Sequence, residues 1–352
     1  MLATSRRTVL QALGIGGAAS LAGCTGRSVQ SDGPSTTVAD AGSDESYPRV
    51  AADPTDLPDP VDWDAPRHHD VTLEVKEVTA EIEPGVTFDF MTFDGRIPGP
   101  MIRVRQGDTV SFTLKNPPES LHEHNVDMHA IYGTGGGNVA TTAAPGEANS
   151  ERFEAAYPGA YIYHCAAANL DMHISSGMFG MIVVEPKEGL PAVDREFYFG
   201  QHEVYTDQPT GQPGHHGFDL AAMKREDPTY VLLNGAKYAI TGERYGPATA
   251  KVGETARVFM VTGGPNLSSS FHPIGNVWSK LYPAGSFTTA VQTDVQTQPV
   301  PPGSTMVGEL DLPVPETIKL VDHALSRVAR KGMLGEITVD GPSDGTLFDP
   351  SP

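Results

Sequence analysis

The sequence is poor in cysteine. Only Cys24 and Cys165 occur among 352 residues. The first falls in an N-terminal segment with the features of an export signal, and the second lies within a cluster of histidines. A structural disulfide is therefore not expected, although export would permit one.

Positive charge is also scarce. The chain has 24 Lys and Arg against 44 Asp and Glu, a net charge of −20. Phosphate binding needs a basic surface, so nucleic acid is not expected as a partner. The acidic residues are dispersed, which keeps a protein soluble and suits very salty surroundings. We expect a halophilic source, and the alternative is an ordinary acidic exported protein.

Long apolar runs are missing beyond the N-terminus, so no membrane-spanning helix is expected there. Ser5-Arg6-Arg7 carries the twin arginine of Tat export, and the apolar stretch that follows is too short to span a membrane comfortably. Leu21-Ala22-Gly23-Cys24 resembles a lipobox; the alternative is simple cleavage. Residues 1–24 are thus expected to direct export to a periplasm-like space or the outer face of the membrane. Membrane contact would come only through a lipid on Cys24.

The rest of the chain favours β-structure. It contains 38 Gly and 30 Pro, and short alternating segments are separated by turn residues. Residues 25–66 are rich in Ser, Asp and Pro and predict a disordered tether. Residues 67–187 predict an antiparallel β-sandwich, in which Val71, Leu73 and Val75 form one half-buried strand.

Residues 193–342 look like a second copy of that unit. The turn around Gly253 echoes the turn around Gly107, and Met333 echoes Met178. The second copy lacks a cysteine. The fold class is therefore predicted as all-β, with two tandem Greek-key sandwiches and a short helix near residues 322–330.

The most informative stretch is residues 161–180. It contains four metal ligands, and an additional histidine lies upstream; the set is His124, His164, Cys165, His173 and Met178. One Cys, two His and a distant Met form the type 1 copper site of electron-transfer proteins, for which His124 is the obvious second histidine. Alone, Cys165 or Met178 would be read as core filling.

A second cluster lies at residues 121–129. Residues an odd number apart in a strand point to opposite faces, so His124 and His129 face opposite ways, as do His164 and Cys165. His129 and His164 could then meet at another metal, with His323 as the best candidate for a third ligand.

Other polar residues could act beside this second metal. Asp127 is a plausible proton donor, and His272 is the other candidate acid–base residue. His122 is interpreted as a neighbour of the first site. Four further histidines, in segments expected to be polar loops, are given no role; they are His68, His69, His215 and His216.

At these residues the sequence resembles the copper-containing, nitric-oxide-forming nitrite reductases, over roughly residues 67–342. The motifs that carry the resemblance agree in order and spacing. They are His124-Asn125-Val126-Asp127-Met128-His129, Tyr163-His164-Cys165, His173 with Met178, His272-Pro273-Ile274, and Asp322-His323.

The resemblance implies two cupredoxin domains per subunit, a homotrimer and two coppers per subunit. It implies a type 1 copper on His124, Cys165, His173 and Met178. It also implies a type 2 copper on His129, His164 and, from a neighbouring subunit, His323. Asp127 and His272 would be the catalytic pair, and Ile274 would restrict how nitrite sits.

The implied reaction is dissimilatory: one electron reduces nitrite to nitric oxide and water. A small redox protein, a cupredoxin or cytochrome, would reduce the type 1 copper, and the electron would pass through Cys165–His164. The loop between Cys165 and His173 is one residue shorter than the family pattern, which bears on the donor and on the colour and potential of the site.

Two other functions fit part of the pattern. A two-domain multicopper oxidase would need several His-x-His pairs and a His on both sides of the Cys, whereas Ala166 follows Cys165. A tethered type 1 electron carrier would not need His129, His164 and His323.

Overall fold

A computed structural model describes residues 47–343 and 345–349. The predicted signal at 1–24, with Cys24, lies outside the described residues, as does the first part of the predicted tether. Within the described ranges, no helix is long and apolar enough to cross a membrane.

The first half of the chain consists of eight strands and two short helices. The strands are β1 His68–Glu83, β2 Val86–Phe93, β3 Ile102–Arg105, β4 Thr109–Lys115, β5 Asp127–Met128, β6 Ala148–Glu154, β7 Gly159–His164 and β8 Phe179–Glu185. The helices are α1 Asn138–Thr141, preceded by a 3₁₀ turn at Thr134–Gly137, and α2 Leu170–Ser175.

The second half has twelve strands. They are β9 Arg195–Val204, β10 Gly214–His216, β11 Tyr230–Leu233, β12 Ala248–Lys251, β13 Thr255–Gly264, β14 Ser269–Ile274, β15 Trp278–Tyr282, β16 Gln292–Val295, β17 Gln298–Val300, β18 Ser304–Asp311, β19 Glu316–Asp322 and β20 Leu334–Asp340. Its helices are α3 Leu220–Lys224, α4 Ser326–Lys331 and a 3₁₀ turn at Pro283–Gly285.

These strands form four sheets, two from each half of the chain. The first half gives the orders β10-β2-β1-β4-β6 and β3-β8-β7-β5, and the second gives β11-β9-β13-β18-β15-β16 and β12-β20-β19-β14-β17. Only β10 crosses over, pairing parallel to β2. The all-β prediction is confirmed. The domain boundaries at 187 and 193 stay a prediction.

Each pair of sheets encloses its own apolar core. In β4, Val110, Phe112 and Leu114 are buried while the residues between them are partly exposed, as expected for a strand with one face in a core. A third core, which includes Phe88, Ile162 and Phe259, joins strands of both halves. Of the predicted metal ligands, His164 ends β7, His173 lies in α2, and the others lie between strands.

The two turns that suggested an internal repeat have the same backbone conformation at their glycines. Gly107 lies between β3 and β4, and Gly253 lies between β12 and β13, with φ of 92° and 89°. Both positions use the left-handed conformation that glycine adopts without steric cost.

Three local predictions differ from the structure. Asp322 ends strand β19, so the helix begins later, at Ser326. His216, expected in a polar loop, is buried in β10 and hydrogen bonds to the carbonyl of Gln212 through Nε2 at 2.7 Å. His68 and His69 begin β1 rather than a loop.

Residues 47–66 also differ from the predicted tether. Ile97 donates its N–H to the Val50 carbonyl at 2.8 Å, and Trp63 Nε1 donates to Asp108 at 3.1 Å. Val50 and Ala51 are buried. This segment joins the folded body because small apolar residues and paired backbone groups compensate for the polar composition.

Candidate metal centres

Three side chains converge inside the first pair of sheets. His124 Nδ1 lies 3.8 Å from Cys165 Sγ, His173 Nδ1 lies 3.3 Å from the same sulfur, and the two nitrogens are 3.2 Å apart. All three residues are buried, with exposed fractions of 0 to 3%. Two imidazole nitrogens and a thiol thus form a small triangle in a dry part of the protein.

The size of this triangle suits a metal ion. A first-row metal bound at about 2.0 Å to nitrogen and about 2.3 Å to sulfur would, in a trigonal plane, hold two nitrogens about 3.5 Å apart and each nitrogen about 3.7 Å from the sulfur. The observed separations of 3.2 to 3.8 Å are close to these values. The donor set is the one that suits a copper that cycles between two oxidation states.

Local structure explains the convergence. Cys165 follows the end of β7, and His173 lies in α2. The Cys165 N–H donates to the Met178 carbonyl at 3.1 Å, and the Met178 N–H donates to the His173 carbonyl at 3.0 Å. Met178 is fully buried in the same core cluster as Cys165. The backbone therefore holds Met178 beside the triangle.

Burial sets the protonation of these ligands. It raises the pKa of the Cys165 thiol to about 11, so a thiolate at neutral pH needs a metal cation beside it. Burial, together with the nearby His124, lowers the pKa of His173 to about 4. The imidazole is then neutral at pH 7 and its lone pair is free to bind a metal.

Sequence reasoning missed two residues that support this centre. Asn125 Oδ1 accepts the Ala166 N–H at 2.7 Å and so ties the His124 segment to the Cys165 segment. Glu77 Oε1 lies 3.0 Å from His124 Nε2. Glu77 is 47 residues away in β1 and no sequence pattern marks it, although Asn125 could have been noticed as the neighbour of a ligand.

Glu77 accepts several hydrogen bonds at once. Besides His124, the donors are the backbone N–H groups of Leu121 and His122 and the His122 ring, each at 3.1 Å. Burial opposes ionisation of this carboxyl, but the bonds from His124, Leu121 and His122 outweigh it and lower its pKa. His122 is thus a neighbour of the site, as predicted.

A second group lies at the adjoining strand ends. His129 Nε2 and His164 Nε2 are 3.2 Å apart. A tetrahedral metal bound at about 2.0 Å would hold two nitrogens about 3.3 Å apart. His164 Nδ1 lies 3.0 Å from the Cys165 carbonyl, which places the ring proton on Nδ1 and leaves Nε2 free to bind a metal.

The strand pairing separates the two groups as alternation requires. Asp127 pairs with His164 between β5 and β7, and the His129 N–H donates to the Ile162 carbonyl at 3.0 Å. Cys165 is fully buried, whereas the adjacent His164 is half-buried and His129 is exposed. One peptide therefore connects a closed site with an open one.

Asp127 belongs to this open group, since its carboxylate lies within 4.8 Å of the ligand atoms of His129 and His164. A tight glycine turn packs against it. A Cβ on Gly136 would lie 2.0 Å from Asp127 Oδ1, and a Cβ on Gly137 would lie 2.0 Å from Glu151 Oε2. The turn thus lets backbone approach two carboxylates, as expected for a glycine run near the metal region.

Glu151 is a further residue that the sequence did not reveal. It lines a surface cavity of about 830 Å³, and its Oε1 is buried without a hydrogen-bond partner in the described structure. Burial and the charge of Asp127 raise its pKa to about 7. Glu151 therefore lies close enough to Asp127 for the charges of the two carboxyl groups to interact.

His272 and His323 form a separate pair in the second half of the chain. Strands β14 and β19 are adjacent, and the His323 N–H donates to the Ser270 carbonyl at 2.8 Å. The two rings are edge to face, with centroids 5.5 Å apart. Ile274 lies two residues after His272, on the same face of β14, and is 40% exposed.

The structure therefore brings the predicted residues into three groups rather than two. The ligand group around His129 and His164 includes Asp127. Over the ranges the structure covers, neither His272 nor His323 joins that group. A metal centre with all three histidines needs a contribution from outside one chain.

Known proteins are similar to this chain in sequence and in fold. The chain is 44% identical to a copper-containing nitrite reductase of Neisseria meningitidis serogroup B over 293 residues, which are 83% of this chain and 74% of the relative. It superposes on a copper nitrite reductase structure from Nitrosomonas europaea with a TM-score of 0.71 at 33% identity, covering 79% of this chain and 96% of that one.

Two further matches are to multicopper oxidases. A family profile described as multicopper oxidase matches residues 74–189. A multicopper oxidase structure has a TM-score of 0.69 at 26% identity and covers 83% of this chain and 98% of that one. These matches agree with the copper-binding fold of the first half.

Proposed function

The chain belongs to the copper-containing nitrite reductases, and on this premise we propose which residues hold its metals and carry the reaction. The family carries type 1 and type 2 copper, and its enzymes are oxidoreductases. We propose His124, Cys165, His173 and Met178 as the type 1 ligands. The observation that carries the proposal is the buried triangle of 3.2 to 3.8 Å between two Nδ1 atoms and one sulfur.

The type 2 ligands would be His129, His164 and His323 of a neighbouring subunit. In support, His129 and His164 have converging Nε2 atoms, and His129 and His323 are both exposed. A homotrimer would let one chain's first half meet another chain's second half around each metal. Closed cyclic symmetry produces such a contact identically at every interface.

The reaction proposed is the one-electron reduction of nitrite: nitrite, one electron and two protons give nitric oxide and water. When bound, copper supplies the one-electron couple and a Lewis acid at the substrate oxygen. The Cys165–His164 peptide offers a covalent path between the centres. This path spans one peptide bond, because His164 ends β7 and the next residue, Cys165, points to the opposite face.

The remaining residues are proposed to transfer protons and to restrict the orientation of the substrate. Asp127 is proposed to deliver the first proton to the substrate oxygen, because its carboxylate lies beside both ligands and within 4.8 Å of their nitrogens. His272 would assist with the second proton. Its Nδ1 lies 2.5 Å from the Gln296 carbonyl, which leaves Nε2 free for proton transfer. Ile274, on the same face, would limit how nitrite turns.

A small redox protein, a cupredoxin or cytochrome, is proposed as the electron donor. The surface outside the type 1 group offers exposed apolar side chains at Leu121, which is 82% exposed, and Leu170, which is 47% exposed. Leu170 lies in the loop and helix between Cys165 and His173. An apolar patch of this kind fits a transient electron-transfer contact.

We also propose how the protein is exported and in what surroundings it works. The twin arginine at Arg6-Arg7 and the Cys24 motif support delivery by Tat to the outside of the cytoplasmic membrane, with or without a lipid. The net charge of −20 supports work in salty surroundings.

Anaerobic turnover tests the function. Copper-loaded protein is mixed with nitrite and a reduced artificial donor, and nitric oxide is followed with an electrode. We expect nitric oxide that depends on copper, with two coppers per subunit. Oxygen consumption without nitric oxide, at four coppers per subunit, would favour the oxidase; one copper per subunit and no nitric oxide would favour the electron carrier.

A further inference from the structure

Glu77 occupies an unusual position next to the closed centre. It lies in β1, yet its carboxylate reaches the segment that precedes His124. Its side chain is only 14% exposed. A carboxylate at a strand surface normally stays in water unless hydrogen bonds compensate for its burial. Here the compensation comes entirely from the segment that carries a metal ligand.

The hydrogen bonds of Glu77 fall into two kinds. The backbone N–H groups of Leu121 and His122 hold the segment's main chain at 3.1 Å. His124 Nε2 lies 3.0 Å from Oε1, and this contact holds a side chain. The backbone hydrogen bonds are what any residue that anchors a loop would make. The contact with His124 is different, because the other ring nitrogen of His124 faces Cys165.

This second contact determines which nitrogen of His124 can bind a metal. An ionised carboxylate accepts hydrogen bonds and donates none, so the ring proton lies on Nε2. The lone pair is then on Nδ1, which points at Cys165 Sγ at 3.8 Å and at His173 Nδ1 at 3.2 Å. The ring is fully buried, so no water competes for the Nε2 proton.

We propose that Glu77 is a positioning residue for the type 1 centre, which orients His124 and lowers the reduction potential of the bound copper. The proposal rests on the assignment of His124 as a copper ligand. A carboxylate that accepts from the distal nitrogen makes the imidazole a stronger donor. Its negative charge also favours Cu(II) over Cu(I), because the oxidised ion carries the larger positive charge.

The test compares two substitutions on the same strand. Glu77→Gln keeps the shape but removes the charge and one acceptor oxygen. Glu74→Gln removes the same charge from an exposed position whose nearest cation is Lys76 Nζ at 3.9 Å. Each copper-loaded variant is assayed for copper content, for its thiolate–copper absorption band and for the midpoint potential of that band.

We expect Glu77→Gln to keep the band and to prefer Cu(I) about tenfold more than the wild type, a rise of about 59 mV for a one-electron couple. Glu74→Gln should match the wild type. Glu77→Ala should bind copper about 10- to 100-fold more weakly. If Glu77→Ala does not fold, Glu77→Gln still decides the matter.

Equal midpoint potentials in Glu77→Gln and Glu74→Gln would overturn the proposal and leave Glu77 as a loop anchor. A wild-type protein without a thiolate–copper band would instead refute the type 1 assignment itself. The two failures are therefore distinguishable in the same set of spectra.

Discussion

The two proposed metal centres differ in how much of each centre one chain contains. Around Cys165, two Nδ1 atoms and a sulfur meet within 3.8 Å in the core of the first pair of sheets. Around His129, two Nε2 atoms meet at 3.2 Å at the surface, and the third expected ligand, His323, lies elsewhere in the chain. One chain therefore supplies a complete, buried set of ligands in the first group and only part of the expected set in the second.

This difference matches the two tasks. An electron-transfer centre works best when its ligands are rigid and dry, because little then rearranges when the charge changes. A substrate centre must leave a position open for a small molecule. A substrate centre at a surface that a second chain completes can keep an open position and still be enclosed by protein. The predictions below test that contrast.

The largest effects should come from removing one ligand of each centre. Cys165→Ser should abolish the thiolate–copper band and lower turnover with a protein donor by more than about 100-fold, because that sulfur is the only soft anionic ligand. His129→Ala should keep the band and lose turnover to a similar extent. Spectra and nitric oxide formation measured on the same samples check both, and unchanged turnover in His129→Ala would contradict the role of the open group.

Replacing Asp127 should lower the turnover rate more than it lowers the copper content. Asp127→Asn keeps the shape but removes the proton donor, so kcat should fall about 100-fold or more while copper content stays near two per subunit. Copper analysis and kcat, measured together, check this. Parallel losses would mean that Asp127 serves the structure of the site.

A mixed oligomer tests whether the open site is shared between chains. His129→Ala and His323→Ala, co-expressed with different tags and purified as doubly tagged trimers, should recover about one third of wild-type turnover. In each mixed trimer one interface of three joins an intact His129 to an intact His323. Each variant alone serves as the control and should be inactive. No recovery in mixed trimers would place all three ligands in one chain.

The packing around α2, the helix that carries His173 of the closed centre, should make the protein less stable at acid pH. His202 is fully buried, and its Nδ1 lies 3.0 Å from the carbonyl of Ser175, the last residue of α2. Burial lowers its pKa to about 4. Between pH 6.5 and 4 the unfolded chain takes up a proton that the folded chain does not, so stability should fall as pH falls, by about 3 kcal/mol for this residue.

His202→Gln is the matching variant, since an amide can still donate to the Ser175 carbonyl but does not titrate. Chemical denaturation across this pH range should show a flatter profile for the variant than for the wild type. Identical profiles would mean that His202 is not the group that titrates.

The smallest effect should appear at the glycine turn beside the open centre. Gly137 and Gly146 have φ of 96° and 88°, so alanine strains both backbones similarly. A Cβ at Gly137 would also meet Glu151 Oε2 at 2.0 Å, whereas at Gly146 the nearest atom is 3.9 Å away. Gly137→Ala should therefore cost about 1 kcal/mol more than Gly146→Ala. Urea denaturation of the pair measures this difference, and equal costs would show that Glu151 moves aside freely.

Much of the site could be read from order and spacing. The adjacent His164 and Cys165 predict two groups on opposite sides of the strand because side chains alternate, and in the structure His164 is half-buried whereas Cys165 is buried. The alternation of Val71, Leu73 and Val75 likewise predicted a half-buried strand, and β1 buries Leu73 and Val75. These features depend only on local geometry, which the order of residues carries.

Glu77 and Glu151 could not be predicted in this way. Glu77 comes from β1 and Glu151 from β6, away in sequence from His124 and Asp127, and a single Glu in an alternating strand reads as a solvent-facing residue. The sequence also failed to predict that residues 47–66 are folded, for a related reason. Their polar composition favours disorder, but the partners of Val50 and Trp63 lie at Ile97 and Asp108.

By itself the sequence determined the strand-rich class, the ligand types and the family, since these follow from composition, period and motif. Only the tertiary structure decided that three ligand atoms form a triangle of metal-binding size, that Glu77 holds the distal nitrogen of His124, and that His272 and His323 stand apart from His129. The physical reason is that alternation tells which face of a strand a side chain takes. Sheet packing alone determines which distant strand that face meets.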